Sequence, residues 1–200
     1  MRTFIWLCCW LLNGFNALSQ QKYLLVEMPE QQDASCTAYR ITDAAGKTIP
    51  LPGYIQAALE CPALVQLEHN VLTFRDADTV KQLHLDNQKV VSLFVVPAAA
   101  DGVSGPVWAP GKRQLLFLIV NQKKTGGYAE TGRLLLLTLG KNKQVTGKRK
   151  FDRPVHYVCG SICTATPGTD FMFRNNGKTI SYKRSEHLQE RPGVYEHITL

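Results

Sequence analysis

The sequence predicts an all-β protein folded as an antiparallel meander, and three observations predict it. Apolar and β-branched residues recur in short runs of strand length. Those runs are bounded by Gly, Pro, Asn or Asp, and several of the segments between them carry hairpin chemistry. Runs of helical periodicity, the third criterion, are confined to one short stretch.

Taken in order, Lys22 to Met28 and Cys36 to Thr42 read as the first strands, followed by a tight turn at Asp43-Ala44-Ala45-Gly46. Tyr54 to Glu60 is the single helical turn, and Cys61-Pro62 stops it, because the residue before a proline is pushed out of the helical region. Val71 to Phe74, Thr79 to Leu85 and Lys89 to Val96 follow as strands, the last two joined through Asp86-Asn87-Gln88. Gln114 to Val120 and Arg133 to Leu139 contain continuous apolar stretches in place of alternation. Both faces of these strands should therefore be covered, which places them in the middle of the domain. Gly140-Lys141-Asn142 is a third hairpin-like turn and Asn175-Asn176-Gly177 a fourth, between Phe171 to Arg174 and Lys178 to Tyr182. Val194 to Leu200 is the last strand. A β-sandwich or a small barrel would produce the same local pattern and stays open as an alternative.

Residues 1–19 have the features of a secretory signal peptide: Arg2, an apolar run from Phe4 to Leu12, and small residues at Ala17 and Ser19. The run is shorter than the roughly 20 residues that span a bilayer, and no later stretch is longer, so the mature chain carries no transmembrane segment. The expectation is an exported protein, secreted or periplasmic, with one domain over 20–200. Removing Arg2 lowers the formal charge from +7 to +6, since it is the only charged residue of the leader. Cys8 and Cys9 would leave with it, and Cys36, Cys61, Cys159 and Cys163 remain. An even number in an oxidising compartment reads as two disulfides, with three possible pairings; closeness in sequence favours Cys36–Cys61 and Cys159–Cys163. The absence of an Asn-x-Ser/Thr sequon leans toward a bacterial product.

Two segments resemble each other. Trp108-Ala109-Pro110-Gly111-Lys112 followed by Leu115-Leu116-Phe117, and Phe173-Arg174-Asn175-Asn176-Gly177-Lys178 followed by Ile180-Ser181-Tyr182, both run aromatic, turn, Gly-Lys, strand, aromatic. Each leads to a strand ending Leu137-Thr138-Leu139 or Ile198-Thr199-Leu200, with fainter echoes at Ile41-Thr42 and His84-Leu85, giving up to four units. This pattern resembles the repeats of TolB-type β-propellers. The resemblance implies a propeller-like meander, aromatic rings packed between neighbouring blades, and a protein partner.

Candidate chemistry is sparse, and no catalytic or cofactor motif stands out. His156, Cys159 and Cys163 could ligate zinc, but a fourth ligand is not evident and oxidation favours a disulfide. Asp76-x-Asp78 lacks the further oxygens of a calcium loop. Ser161 after Cys159-Gly160 would need a base from distant His69, His84, His187 or His197 to make a secreted hydrolase. Lys141, Lys143, Lys148, Arg149, Lys150 and Arg153 form a basic cluster, with Lys123 and Lys124 in a loop nearby. The cluster is a candidate anion-binding patch for an acidic glycan or a lipid headgroup surface, or else a solvated hairpin. It has no interleaved aromatics for stacking bases, and export argues against nucleic acid. A lipocalin-like barrel carrying a small apolar ligand is the remaining alternative, although the Gly-x-Trp of that family is not found near the mature start.

Overall fold

The computed structural model describes residues 21–28, 36–100, 102–121, 129–152, 155–158, 165–184 and 194–200. Within them the fold is all-β, with fourteen strands in four antiparallel sheets and one helix. The first sheet pairs β1 (Tyr23–Glu27) with β2 (Tyr39–Asp43), and helix α1 (Gly53–Glu60) follows. The second sheet is the meander β3 (Val65–Glu68), β4 (Val71–Asp76), β5 (Thr79–His84) and β6 (Lys89–Val95). The third repeats that order in β7 (Gly102–Trp108), β8 (Gln114–Asn121), β9 (Ala129–Leu139) and β10 (Val145–Lys150), with β11 (Val155–Val158) pairing the far end of β9. The fourth holds β12 (Phe171–Arg174), β13 (Thr179–Arg184) and β14 (Val194–Thr199). The described strands close no barrel.

Successive sheets face one another across three apolar cores. Ile41, Ile55, Leu59, Leu72, Phe74 and Leu83 fill the space between the first sheet, the helix and the second sheet. Val80, Leu93, Leu115, Phe117, Leu135 and Leu137 fill the next, and Leu116, Leu118, Leu134, Leu136, Phe171 and Tyr182 the last. Alternation on β8 and β9 explains this. Leu115, Phe117 and Ile119 point to one side while Leu116, Leu118 and Val120 point to the other, so a strand buried on both faces needs an unbroken apolar run.

The four strand endings noted in the sequence fall one in each sheet: in β2, at the end of β5, in β9, and at β14. The turns between the first two strands of successive sheets also adjoin. The His69 ring lies 5.9 Å from Trp108, edge to face, and a Cβ on Gly177 would come within 3.5 Å of Pro110. Trp108 and Phe173 are half-buried, each packed on a core and each ending or lying in the strand before its turn.

Four strands lie outside the runs read from the sequence: β3, β7, β10 and β11. Strand β7 contains Gly105-Pro106, residues that normally interrupt a ladder, and its register with β8 shifts between Ser104 and Val107. Gly105 has φ +123°, and a Cβ there would meet the Leu116 carbonyl oxygen at 2.9 Å, so only glycine fits. The turn at Asp43 to Gly46 is closed by Asp43, whose carboxylate accepts from the Ala45 and Lys47 N–H groups. It joins β2 to a single bridge at Thr48, not to a full strand.

Candidate functional site

A cleft of about 570 Å³ lies between β2 and α1. Its formation follows from local sequence. Beyond the Asp43 turn the chain pairs briefly with β2, as the Ile49 N–H donates to the Ile41 carbonyl at 2.9 Å. At Pro50-Leu51-Pro52 the pairing ends: the register would next set Leu51 opposite Tyr39, but prolines on either side fix the local φ and carry the chain away, and Pro52 starts α1. The chain turns away and leaves the outer edge of β2 beside the helix.

The floor is apolar, from buried Ile41 and Leu59 with Ile49 and Leu51 beside them. Tyr39, Arg40 and Ile41 of β2 all line the cleft, after Cys36 to Ala38 at its entry. Consecutive residues of a strand do so only where it presents its edge, because a strand presenting one face would contribute alternate residues. Gln56 and Glu60 of the helix form the opposite wall, and Arg40 is exposed at the rim. Tyr39 extends toward Glu27, its hydroxyl 3.5 Å from the carboxylate. Burial, and then the charge and hydrogen bond of Glu27, hold its pKa above the ordinary tyrosine value.

One end of the cleft is fixed covalently. Cys36 and Cys61 are joined, with Cα atoms 5.5 Å apart, tying the entry of β2 to the C-terminus of α1. Closing a loop over a sequence separation of 25 residues contributes about 3 kcal/mol in the chain-entropy account. Cys159 and Cys163 lie outside the described residues, as do Ser161, His187, Arg153, Lys123 and Lys124 and the leader at 1–19.

The basic cluster is distributed, not concentrated. On β10, Lys148 and Lys150 oppose Leu137 and Leu135, and so share the face directed toward the second sheet. Arg149 opposes Leu136 on the other face and stacks over Phe151, 4.8 Å from the ring centre. Lys141 and Lys143 are exposed in the preceding turn. There Lys143 acts on His84 of the second sheet: burial first, then the charges of Lys143 and Lys89, lower the imidazole pKa, against the opposing pull of Asp86.

The remaining candidates have local roles. Asp76 pairs with Lys81 at 2.6 Å, and Asp78 accepts from Thr79 at 2.8 Å, as turn carboxylates do. Among the described residues no group of His, Cys, Asp and Glu is arranged to hold a metal. Ser181 and His197 are 2.8 Å apart, a nucleophile–base distance that the sequence reading did not single out; Ser181 is 1% exposed, so no substrate reaches its hydroxyl. Cross-strand register signals this pair, since the two residues are direct partners on β13 and β14. Of the cleft residues the sequence had marked only Cys36, because the others become neighbours through the return of α1 onto β2. Comparison with protein-family models, with curated proteins and with solved structures finds no match.

Proposed function

We propose that this chain is an exported, disulfide-braced binding module whose partner is another protein, received in the cleft between β2 and α1. The cleft carries this reading: it combines an apolar floor, a polar rim and a covalently fixed width, the composition by which binding sites give affinity and orientation. Its disulfide accords with an oxidising destination, and no helix among the described residues is long and apolar enough to cross a membrane. The propeller-like reading belongs with it. Support comes from the chain-order succession of sheets, the placement of three of the four strand endings on the third strand of their sheets, and the proximity of successive first turns. A TolB-type propeller likewise implies a protein partner.

Site-specific photocrosslinking tests the reading. A photoreactive residue at Gln56, on the helix wall, is expected to give a discrete protein adduct in the exported fraction. The same group at Ser92, exposed on β6, is expected to give none. Equal labelling from both positions, or none from Gln56, would overturn the assignment. Mass spectrometry of the same material is expected to show a chain lacking residues 1–19, and an intact Met1 would remove export from the proposal.

A further inference from the structure

We infer that the cleft takes its partner as an added strand against the open edge of β2, the occupant being an extended segment of alternating apolar and acidic residues. This rests on the reading of the cleft as a protein-binding site and specifies how that site works.

The backbone of β2 decides the mode. The Met28 N–H donates to the Ala38 carbonyl at 2.8 Å, so Ala38, and by alternation Arg40 and Thr42, direct their peptide groups toward β1. Tyr39, Ile41 and Asp43 then direct theirs away from it. The Ile41 carbonyl accepts from the Ile49 N–H and the Asp43 N–H donates to the Lys47 carbonyl, at 2.9 Å each. The outward N–H and C=O of Tyr39 have no backbone partner among the described residues, because Pro50 to Pro52 have already carried the chain off. The ladder therefore stops one pair short, beside a cleft lined by the same residues, and an incoming extended backbone continues it at Tyr39.

Side-chain alternation sets the pattern of the segment. Tyr39 and Ile41 share the inner face with the apolar floor, while Arg40 stands on the outer face. A residue opposite Tyr39 points inward and is apolar, and one opposite Arg40 points outward. Arg40 has no ion-pair partner among the described residues, so a carboxylate complements it. Glu60 lies at the disulfide end, its carbonyl 3.8 Å from Cys36 Sγ, and disfavours an acid there. The formal charge of +6 that the chain keeps without Arg2 attracts an acidic segment and repels a second copy.

The test uses the exported, disulfide-bonded chain, labelled with ¹⁵N, and the blocked peptide acetyl-Val-Glu-Val-Glu-Val-amide. Saturable shifts are expected at the Tyr39 and Ile41 amides. Methylation of the central valine nitrogen, which deletes one ladder donor, is expected to weaken binding at least about fivefold. A peptide with lysine for glutamate is expected to bind more weakly, and Arg40→Glu to reverse that preference. No saturable shift up to about 5 mM peptide overturns the inference, a concentration at which even a marginal site fills. Equal affinity for the methylated peptide overturns it too, and with the Gln56 crosslink retained would leave a protein-binding cleft that does not add a strand. Protection of the same amides by raised protein concentration, without peptide, would assign the edge to a second copy and likewise overturn it.

Discussion

At the scale of single residues, His84 shows how the fold gives a side chain a property that its sequence neighbours do not carry. It ends β5 with Val71 and Lys89 as cross-strand partners, and its Nε2 is buried without a hydrogen-bond partner among the described residues. Protonating that nitrogen would place a charge near Lys143 and Lys89 in a partly dry setting, which is why its pKa falls below the ordinary value. The sign of the linkage follows. Above about pH 6.5 the imidazole is neutral in both folded and unfolded chains and carries no penalty. As pH falls below that value the unfolded chain takes up the proton first, so stability declines until the folded-state pKa is passed, and then levels. His84→Asn is therefore expected to flatten the dependence of the urea midpoint between about pH 7 and about pH 5. Identical slopes for variant and parent would remove His84 as a source of acid sensitivity.

At the scale of elements, β10 is an edge strand whose free side would otherwise template further pairing. Lys148, Arg149 and Lys150 are all exposed along it, divided between the two faces, which suits edge protection better than capture of a polyanion. Retention on heparin is expected to be weak and to vanish near physiological salt, where charges further apart than about 8 Å are screened. Lys148→Thr with Lys150→Thr is expected to raise aggregation on heating. Firm retention lost on reversing Lys148 and Lys150 to Glu would reinstate an anion site. The same strand shows where sequence reading stops. Lys-Arg-Lys has no apolar alternation, so the turn at Gly140 to Asn142 announced a hairpin whose second strand, β10, formed no readable run; Val-Gln-Leu-Glu of β3 has only two apolar residues; and β7 hides behind Gly105-Pro106. Where burial imposes a pattern, as on β8 and β9, the elements and their central position were readable. The cleft was not, because Arg40, Leu51 and Glu60 are ordinary residues until Pro50 and Pro52 bend the chain and bring α1 beside β2.

At the scale of the molecule, the three cores are linked because the second and third sheets each contribute a face to two of them. Emptying one core therefore removes support from sheets that bound the next, and the described sheets are expected to unfold as one cooperative unit. Trp108 makes this measurable. It is the only tryptophan outside residues 1–19, and it packs against the core between the second and third sheets. Leu72 is fully buried in the neighbouring core, between the second sheet and the first. Leu72→Ala is expected to cost about 2–5 kcal/mol, the usual range for an emptied buried leucine site. In a linked stack, denaturation followed by Trp108 fluorescence and by far-ultraviolet circular dichroism shifts by the same amount in the variant. In a set of independent sheets, the dichroism transition moves and broadens while the Trp108 transition stays at its parental midpoint, and that result would overturn the coupling of the cores.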